Sequence, residues 1–163
     1  MKPFLVGLVG AFLVGLVVFR MSPFMRQGVD QPIQFNHQAH KDIECAGCHE
    51  SVTTQGFAGL PTLDICLTCH ETAITKSPEE EKIRVLAREG RPVQWQRLFK
   101  QPAHVFYSHR RHVELAKLEC RQCHGSIGDS TAPPRRVRNL SMNACISCHE
   151  QKKVSAGCVD CHR

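Results

Sequence analysis

The sequence predicts one N-terminal transmembrane helix followed by a mostly α-helical and irregular domain. This domain has few apolar side chains with which to form a core. Three observations predict this architecture. Residues Pro3 to Phe19 are an uncharged apolar run, just long enough to cross a bilayer as a helix. Aromatic residues make up only 6% of the 163-residue chain, too few for a large conventional core. The remainder repeats one short motif of cysteine and histidine five times, so that motif has to account for what holds the chain together.

The apolar run is expected to be a retained anchor. It is followed by Arg20 and then by the bulky residues Met21 to Met25. A cleaved signal peptide, the competing interpretation, usually has a shorter apolar region and ends in a small-residue cleavage site. The sequence therefore favours a signal-anchor helix and connector over residues 1–30, with the N terminus in the cytoplasm.

The repeated motif is Cys-x-x-Cys-His, at residues 45–49, 66–70, 120–124, 145–149 and 158–162. It is the attachment motif of c-type haem, in which two cysteines one helical turn apart bond the porphyrin vinyl groups and the histidine binds iron. A zinc knuckle or a thioredoxin-like redox pair is the alternative, but neither needs a histidine directly after the second cysteine. The sequence predicts five covalently attached haem c groups, which form the core of the fold.

All ten cysteines belong to these motifs. The predicted haem-binding cysteines are Cys45, Cys48, Cys66, Cys69, Cys120, Cys123, Cys145, Cys148, Cys158 and Cys161. The predicted iron ligands within the motifs are His49, His70, His124, His149 and His162.

Five further histidines match the number needed for two histidine ligands on every iron. Two strong axial ligands keep a haem iron low-spin and closed to substrates, as an electron carrier requires. These predicted ligands are His37, His40, His104, His109 and His112. By chain order His37 is assigned to the first motif and His109 to the third, whereas the order of the other three stays open. Met142 is the reserve ligand.

Two histidine pairs indicate an internal duplication. Phe35-Asn36-His37-Gln38-Ala39-His40 precedes the first haem motif, and residues 107–112 repeat its pattern before the third. Histidines three apart share a helix face but cannot both reach the same side of one iron, so each pair is expected to serve two neighbouring haems. The predicted units are a two-haem module at 31–76 and a second module with a fifth haem at 104–163.

Residues 77–103 are predicted to be a linker helix and connector lying on these modules. Ser77 is a suitable N-cap, Pro78 suits the first helical position, and Glu80 completes a capping box. Gly90 is expected to end the helix. The linker is interpreted as structural.

The formal charge of +6 is not a nucleic-acid signal. Each haem carries two propionates, so about ten negative charges offset the basic excess. Candidate propionate partners are Arg110, Arg111, Arg135, Arg136 and Arg138, with a solvated basic face as the alternative. Haem is attached to cysteine outside the cytoplasm. The haem domain is therefore expected on the periplasmic side of the cytoplasmic membrane, behind a single-pass anchor.

Taken together, these residues resemble a known family. Each module, with its His-x-x-His before Cys-x-x-Cys-His, resembles the small multihaem class III cytochromes c. The whole order resembles the pentahaem membrane-anchored subunit of alternative complex III, a bacterial quinol-oxidising complex. That likeness includes the anchor, the Ser-Pro capped helix, the Gly-Arg-Pro-Val-Gln-Trp stretch at 90–95, residues 102–112 and the later haem motifs.

The resemblance implies an electron-transfer wire without catalytic residues, in a quinol-oxidising respiratory or photosynthetic complex. It would pass electrons from an iron–sulfur, molybdopterin-like subunit to a monohaem cytochrome c, another periplasmic acceptor or an oxidase. The quinol pocket would belong to polytopic membrane subunits, and no nucleic acid is a partner. The alternative is a self-sufficient membrane-anchored multihaem quinol dehydrogenase, against which the fifth motif and the full set of spare histidines argue. A multihaem reductase needs a vacant iron position, and the ligand count leaves none.

Overall fold

The computed structural model describes Phe12, residues 28–135 and residues 140–162. The predicted membrane anchor therefore lies outside the described residues, apart from Phe12, and so do Arg136 and Arg138. In the part of the chain that is described, no helix is long and apolar enough to cross a membrane.

Residues 28–135 and 140–162 form six short α-helices joined by irregular segments and contain no β-strand, only an isolated bridge between Val105 and His162. The helices are α1 (Cys45–Cys48), α2 (Leu63–His70), α3 (Pro78–Arg88), α4 (Cys120–His124), α5 (Met142–Gln151) and α6 (Cys158–Cys161). Three 3₁₀ turns occupy Gln38–His40, Glu50–Val52 and Ile127–Asp129, and a π-helix occupies Arg110–Leu115. The predicted mostly helical and irregular fold is confirmed.

Every Cys-x-x-Cys-His motif lies on one of these helices. Each of α1, α2, α4, α5 and α6 contains both cysteines of one motif. Residues three apart on a helix project from the same face. The two thiols of each motif are therefore presented together, and the motif histidine follows on the same turn or at the helix end.

Helix α3 begins where the sequence predicts, but one detail of its cap differs. The Ser77 hydroxyl accepts a hydrogen bond from the backbone N–H two residues later, and Pro78 is the first helical residue. The predicted capping box is wrong. Glu80 does not bond the N-cap residue but accepts hydrogen bonds from the backbone N–H groups of Ile74 and Thr75, which precede the helix.

Gly90 terminates helix α3, as predicted, just beyond the last helical residue, Arg88. Gly90 has a φ of 63°, its N–H donates to the carbonyl of Ala87, and the next N–H donates to the carbonyl of Leu86. This double hydrogen bond is a Schellman motif, which requires a left-handed residue at that position. The helix packs against α2, and Ile83 on its inner face is only 8% exposed.

Side chains alone form a small core in the described residues. Ile33, Val52 and Ile83 are the buried apolar side chains. Large apolar side chains such as Phe57 and Phe106 are more than half exposed to solvent, at 56% and 55%. Side-chain burial therefore contributes little to stability here, as the low aromatic content predicts.

The duplication is visible in the two histidine pairs. Phe35 contacts the ring of His37 edge-on, with centroids 4.8 Å apart, and stacks on His40 at 4.6 Å. Tyr107 makes the same two contacts with its own pair, edge-on at 4.9 Å and stacked at 4.5 Å. The first pair lies on a 3₁₀ turn and the second at a π-helix, so neither is on the regular helix that the spacing suggests. The ring geometry is nevertheless the same.

The two halves hold each other's histidine pairs. The Gln38 N–H donates to the carbonyl of Ser130, and the Arg110 N–H donates to the carbonyl of Gln55, both at 3.0 Å. In each case the donor lies in a histidine pair and the acceptor in the loop after the other half's first haem motif. Such reciprocal bonding is the pattern of a contact between two copies of one unit.

Candidate haem-binding sites

None of the cysteine side chains is fully buried. All ten are free, none forming a disulfide. Burial raises the pKa of the Cys48, Cys66 and Cys120 thiols above the usual value. A redox-active Cys-x-x-Cys pair needs the opposite, a lowered pKa that produces the thiolate. The thioredoxin-like interpretation is therefore disfavoured. Within the described ranges, no three or more His, Cys, Asp and Glu side chains are grouped as ligands of a metal ion.

Four histidines outside the motifs each face the histidine of a motif. The ring centroids are 6.0 Å apart for His40 and His70, 6.3 Å for His109 and His124, 6.1 Å for His112 and His149, and 5.5 Å for His104 and His162. Only the pairing of His109 with His124 follows from chain order. The other three pairings bring together residues that the motif pattern alone does not connect.

These separations fit two imidazoles on one iron. A metal–imidazole nitrogen bond is about 2.0 Å long and the ring centroid lies about 1.1 Å further on, so two axial imidazoles have centroids about 6 Å apart. Direct ring stacking would bring centroids closer, as Phe35 and His40 show at 4.6 Å. The four pairs thus have the spacing expected of two imidazoles on one iron. The residues fit the predicted haem.

His37 remains for the first motif. Burial lowers its pKa, and the nearby rings of His49 and His40 lower it further, so His49 is among its electrostatic neighbours. The Nδ1 atom of His37 lies 3.4 Å from the Ser130 hydroxyl oxygen of the other half. Its environment agrees with the predicted assignment to the haem of Cys45 and Cys48, which stays a prediction.

The orientation of most rings leaves one nitrogen free. Six Nδ1 atoms lie 2.6 to 3.2 Å from a backbone carbonyl oxygen, namely those of His40, His49, His109, His112, His149 and His162. Because a carbonyl only accepts, Nδ1 is the protonated nitrogen and Nε2 carries the lone pair. A histidine that binds metal through Nε2 is normally fixed in this way by its other nitrogen.

Three of the ten histidines are also favoured in the neutral form. Burial lowers the pKa of His37, His109 and His124 below the usual histidine value. A protonated imidazole has no lone pair to give, so a lowered pKa favours the form that binds iron.

The site of His70 has a carboxylate neighbour that the motif pattern does not indicate. The Nδ1 atom of His70 faces no carbonyl but lies 3.4 Å from Oε1 of Glu80. Glu80 is one of three consecutive acidic residues at the start of α3, where acidic residues are common because they oppose the helix dipole. Its contact with α2 depends on how the two helices pack, which the local pattern does not contain.

The remaining candidates are at the surface. Arg110 and Arg111 lie exposed on the π-helix beside the second histidine pair. Arg135 forms an exposed ion pair with Asp30, at 2.8 Å. Met142, the reserve ligand, is 62% exposed at the first position of α5. Phe99 contacts His124 edge-on at 4.8 Å and supports that ring from the linker.

Comparison with known proteins agrees with this geometry. Residues 19–91 match the class III cytochrome C family, and residues 105–163 match cytochrome c7 and related cytochrome c. The chain is also similar to the multiheme cytochrome c subunit of menaquinone reductase from Nitratidesulfovibrio vulgaris (strain Hildenborough). The two are 30% identical over 189 aligned positions, which cover 99% of this chain and 89% of that protein.

Proposed function

The chain belongs to the family of multihaem class III c-type cytochromes, and from that premise we propose that it is the pentahaem electron-transfer subunit of a quinone-linked membrane complex. Haem c supplies a one-electron change at its iron, and the protein supplies attachment, ligands and spacing. The observation that carries the proposal is the set of four facing histidine pairs, with His37 beside a fifth site.

Two histidine ligands on every haem iron are typical of an electron carrier rather than of an enzyme. We assign His37, His109, His40, His112 and His104 as the distal ligands of the haems whose motif histidines are His49, His124, His70, His149 and His162, respectively. An iron with two histidines has no position for a substrate, so no bond chemistry is expected at these sites. The chain's own residues hold the rings and, for six of them, fix which nitrogen is free.

The subunit is proposed to be anchored in the cytoplasmic membrane, with its haem domain on the periplasmic side. The uncharged run from Pro3 to Phe19 supports this, because a single helix of that kind places the domain at the membrane surface. It contains no ionisable side chain that could accept protons from a quinol. The quinone pocket is therefore proposed to lie in polytopic subunits, with an iron–sulfur subunit and a periplasmic cytochrome or other acceptor as further partners.

The direction of electron flow is a property of the whole complex. The resemblance to alternative complex III implies quinol oxidation, whereas the relative from N. vulgaris is named for menaquinone reduction. A wire with the same ligands on every iron serves either direction, since the potentials of its partners set the driving force. Comparison of the potential of the periplasmic electron-transfer partner with that of the menaquinone couple determines which direction is downhill.

The test separates a wire from a self-sufficient dehydrogenase. The haem-loaded full-length chain is mixed with a menaquinol analogue while haem absorbance is followed, first alone and then with the polytopic and iron–sulfur subunits. Dithionite reduction of the same sample is the control for competent haems. We expect slow reduction of the chain alone and rapid reduction in the complex. Rapid catalytic reduction of the chain alone would refute the proposal.

A further inference from the structure

Glu80 is a buried carboxylate with an unusually complete set of partners. The residue is 6% exposed although it lies in the first turn of a surface helix. It accepts hydrogen bonds from the Ile74 N–H at 2.8 Å and from the N–H and hydroxyl of Thr75 at 2.8 and 2.5 Å. The Arg84 guanidinium donates to it at 2.8 Å. The hydroxyl of Thr75, the Ile74 N–H and Arg84 hold its pKa well below the usual range.

The same carboxylate faces His70. The side chain of His70 is 17% exposed, and its Nδ1 atom is buried without a hydrogen-bond partner at normal distance. Glu80 Oε1 is 3.4 Å away, slightly beyond an ordinary hydrogen bond. Four shorter hydrogen bonds already occupy the two carboxylate oxygens, so Glu80 acts on His70 through its negative charge at this distance rather than through a hydrogen bond. Six of the other histidines place a neutral carbonyl at this position instead.

We propose that the buried charge of Glu80, beside Nδ1 of His70, lowers the reduction potential of the haem attached at Cys66 and Cys69. The inference rests on the proposed function, because it takes His70 as an iron ligand. A buried negative charge 3.4 Å from Nδ1 of an iron-binding imidazole favours the more positive ferric state over the ferrous state. This haem is then harder to reduce than it would be with a carbonyl at the same position.

Two nearby positive groups oppose the effect. Arg84 is ion-paired with Glu80, and the N-terminal end of α3 carries a partial positive charge. Both reduce the field of the carboxylate at the iron. The side chains of Glu80 and Arg84 are 5% and 14% exposed, so solvent screens them less than it screens the acidic residues beside them. Removing Arg84 is therefore expected to act in the opposite direction to removing the charge of Glu80.

The first experiment compares Glu80→Gln with Glu81→Gln in the haem-loaded full-length chain. Glu81 lies next to Glu80, carries the same charge and pairs with Arg84 and Arg88, but its side chain is 47% exposed. Spectropotentiometric titration resolves the haem components. We expect Glu80→Gln to raise the reduction potential of one component by about 59 mV, which is about a tenfold higher ferrous-to-ferric ratio for a one-electron change. We expect Glu81→Gln to change the reduction potential of every component by less than about 28 mV, or about threefold in this ratio.

Arg84→Gln distinguishes the charge from a packing defect. We expect it to lower the potential of the same component, since less of the carboxylate charge is then neutralised. Opposite shifts for Glu80→Gln and Arg84→Gln support the proposal. Shifts of the same sign, or an unchanged component in Glu80→Gln, overturn it. Circular dichroism and the haem content of each variant identify a misfolded protein. If Glu80→Gln is misfolded, Arg84→Gln must still lower the potential of one component, and an unchanged or raised potential overturns the inference.

Identification of the haem uses a His40→Ala background. Without its distal ligand the haem of Cys66 and Cys69 becomes high-spin and can be titrated separately from the others. Glu80→Gln in this background must raise the potential of the high-spin component, and a shift confined to low-spin components overturns the inference. If His40→Ala leaves every haem low-spin, the ligand assignment in the proposed function fails instead, so the two failures are distinguishable.

Discussion

Replacing His40 tests whether a histidine pair serves two haems. His40 lies closer in sequence to the first haem motif, but its ring faces His70 of the second at 6.0 Å. His40→Ala removes the ring and leaves the backbone of the 3₁₀ turn unchanged. One iron in five then loses a nitrogen ligand, so about one fifth of the ferric haem is expected to become high-spin. His37, on the same turn, keeps its own site.

The structure also predicts a chemical rescue. In the native protein the His40 ring stacks on Phe35 at 4.6 Å and its Nδ1 bonds the carbonyl of Asn36 at 2.8 Å. Added imidazole is the size of the deleted ring and can use the same partners. Electron paramagnetic resonance and the high-spin absorption band should therefore show one high-spin haem that returns to low-spin when imidazole is added.

The matched control is Gln38→Ala, on the same turn. Gln38 is exposed and takes part in the fold through its backbone N–H, which alanine retains. It should leave all haems low-spin and the haem content unchanged. The reasoning is refuted if His40→Ala has the same low-spin spectrum as the control. It is also refuted if imidazole fails to restore the spectrum of a correctly loaded variant.

Three further predictions concern the haems, the anchor and the linker. The mass of the denatured protein should exceed that of the polypeptide by five haems, with no thiol left for alkylation; four haems in mature material would contradict the motif count. Peptide mapping of the mature subunit should recover residues 1–25, whereas a terminus near Gln27 would exclude the anchor. Gly90→Ala should lower the free energy of unfolding by about 1–2 kcal/mol, because Gly90 has a φ of 63° and no atom within 4 Å of an added Cβ, so backbone strain is the whole effect. Gly128→Ala is the control, since its added Cβ is equally unobstructed and its φ is not positive, and thermal unfolding compares the two.

Local chemistry made part of this structure predictable. The helical turns at the haem motifs follow from attachment of two cysteines to one group, and the ends of α3 follow from Ser77, Pro78 and Gly90. The duplication was also readable, because Phe35 and Tyr107 stand at the same distance before their histidine pairs. In each case the information lies within a few residues of the feature.

Features that depend on packing were not predictable. The sequence left open which haems His40, His104 and His112 serve, since their partners are up to 58 residues away along the chain. The position of Glu80 in the first turn of α3 predicts a capping role. Its contact with His70 forms only because α3 packs on α2, which the local pattern does not contain. The 3₁₀ and π-helical turns of the histidine pairs likewise differ although their patterns match. Their backbones adjust to the same ring geometry, which is set by what the rings face.

The segment from His104 to His112 is the structural centre of the second module. It carries the distal ligand candidates of three haems, and each is held by a different part of the chain. Val105 bridges to His162, and the Phe106 N–H donates to the carbonyl of Cys161 at 2.8 Å. The loop of the first module supports His109 at Gly56. A displacement of this one segment would therefore change the ligands of three irons at once. The first module in turn relies on Ser130 of the second, which bonds the Gln38 N–H and lies beside Nδ1 of His37. Each half therefore supplies its own predicted iron ligands but supports ligands of the other half, and the haems are expected to acquire their final ligation together rather than module by module.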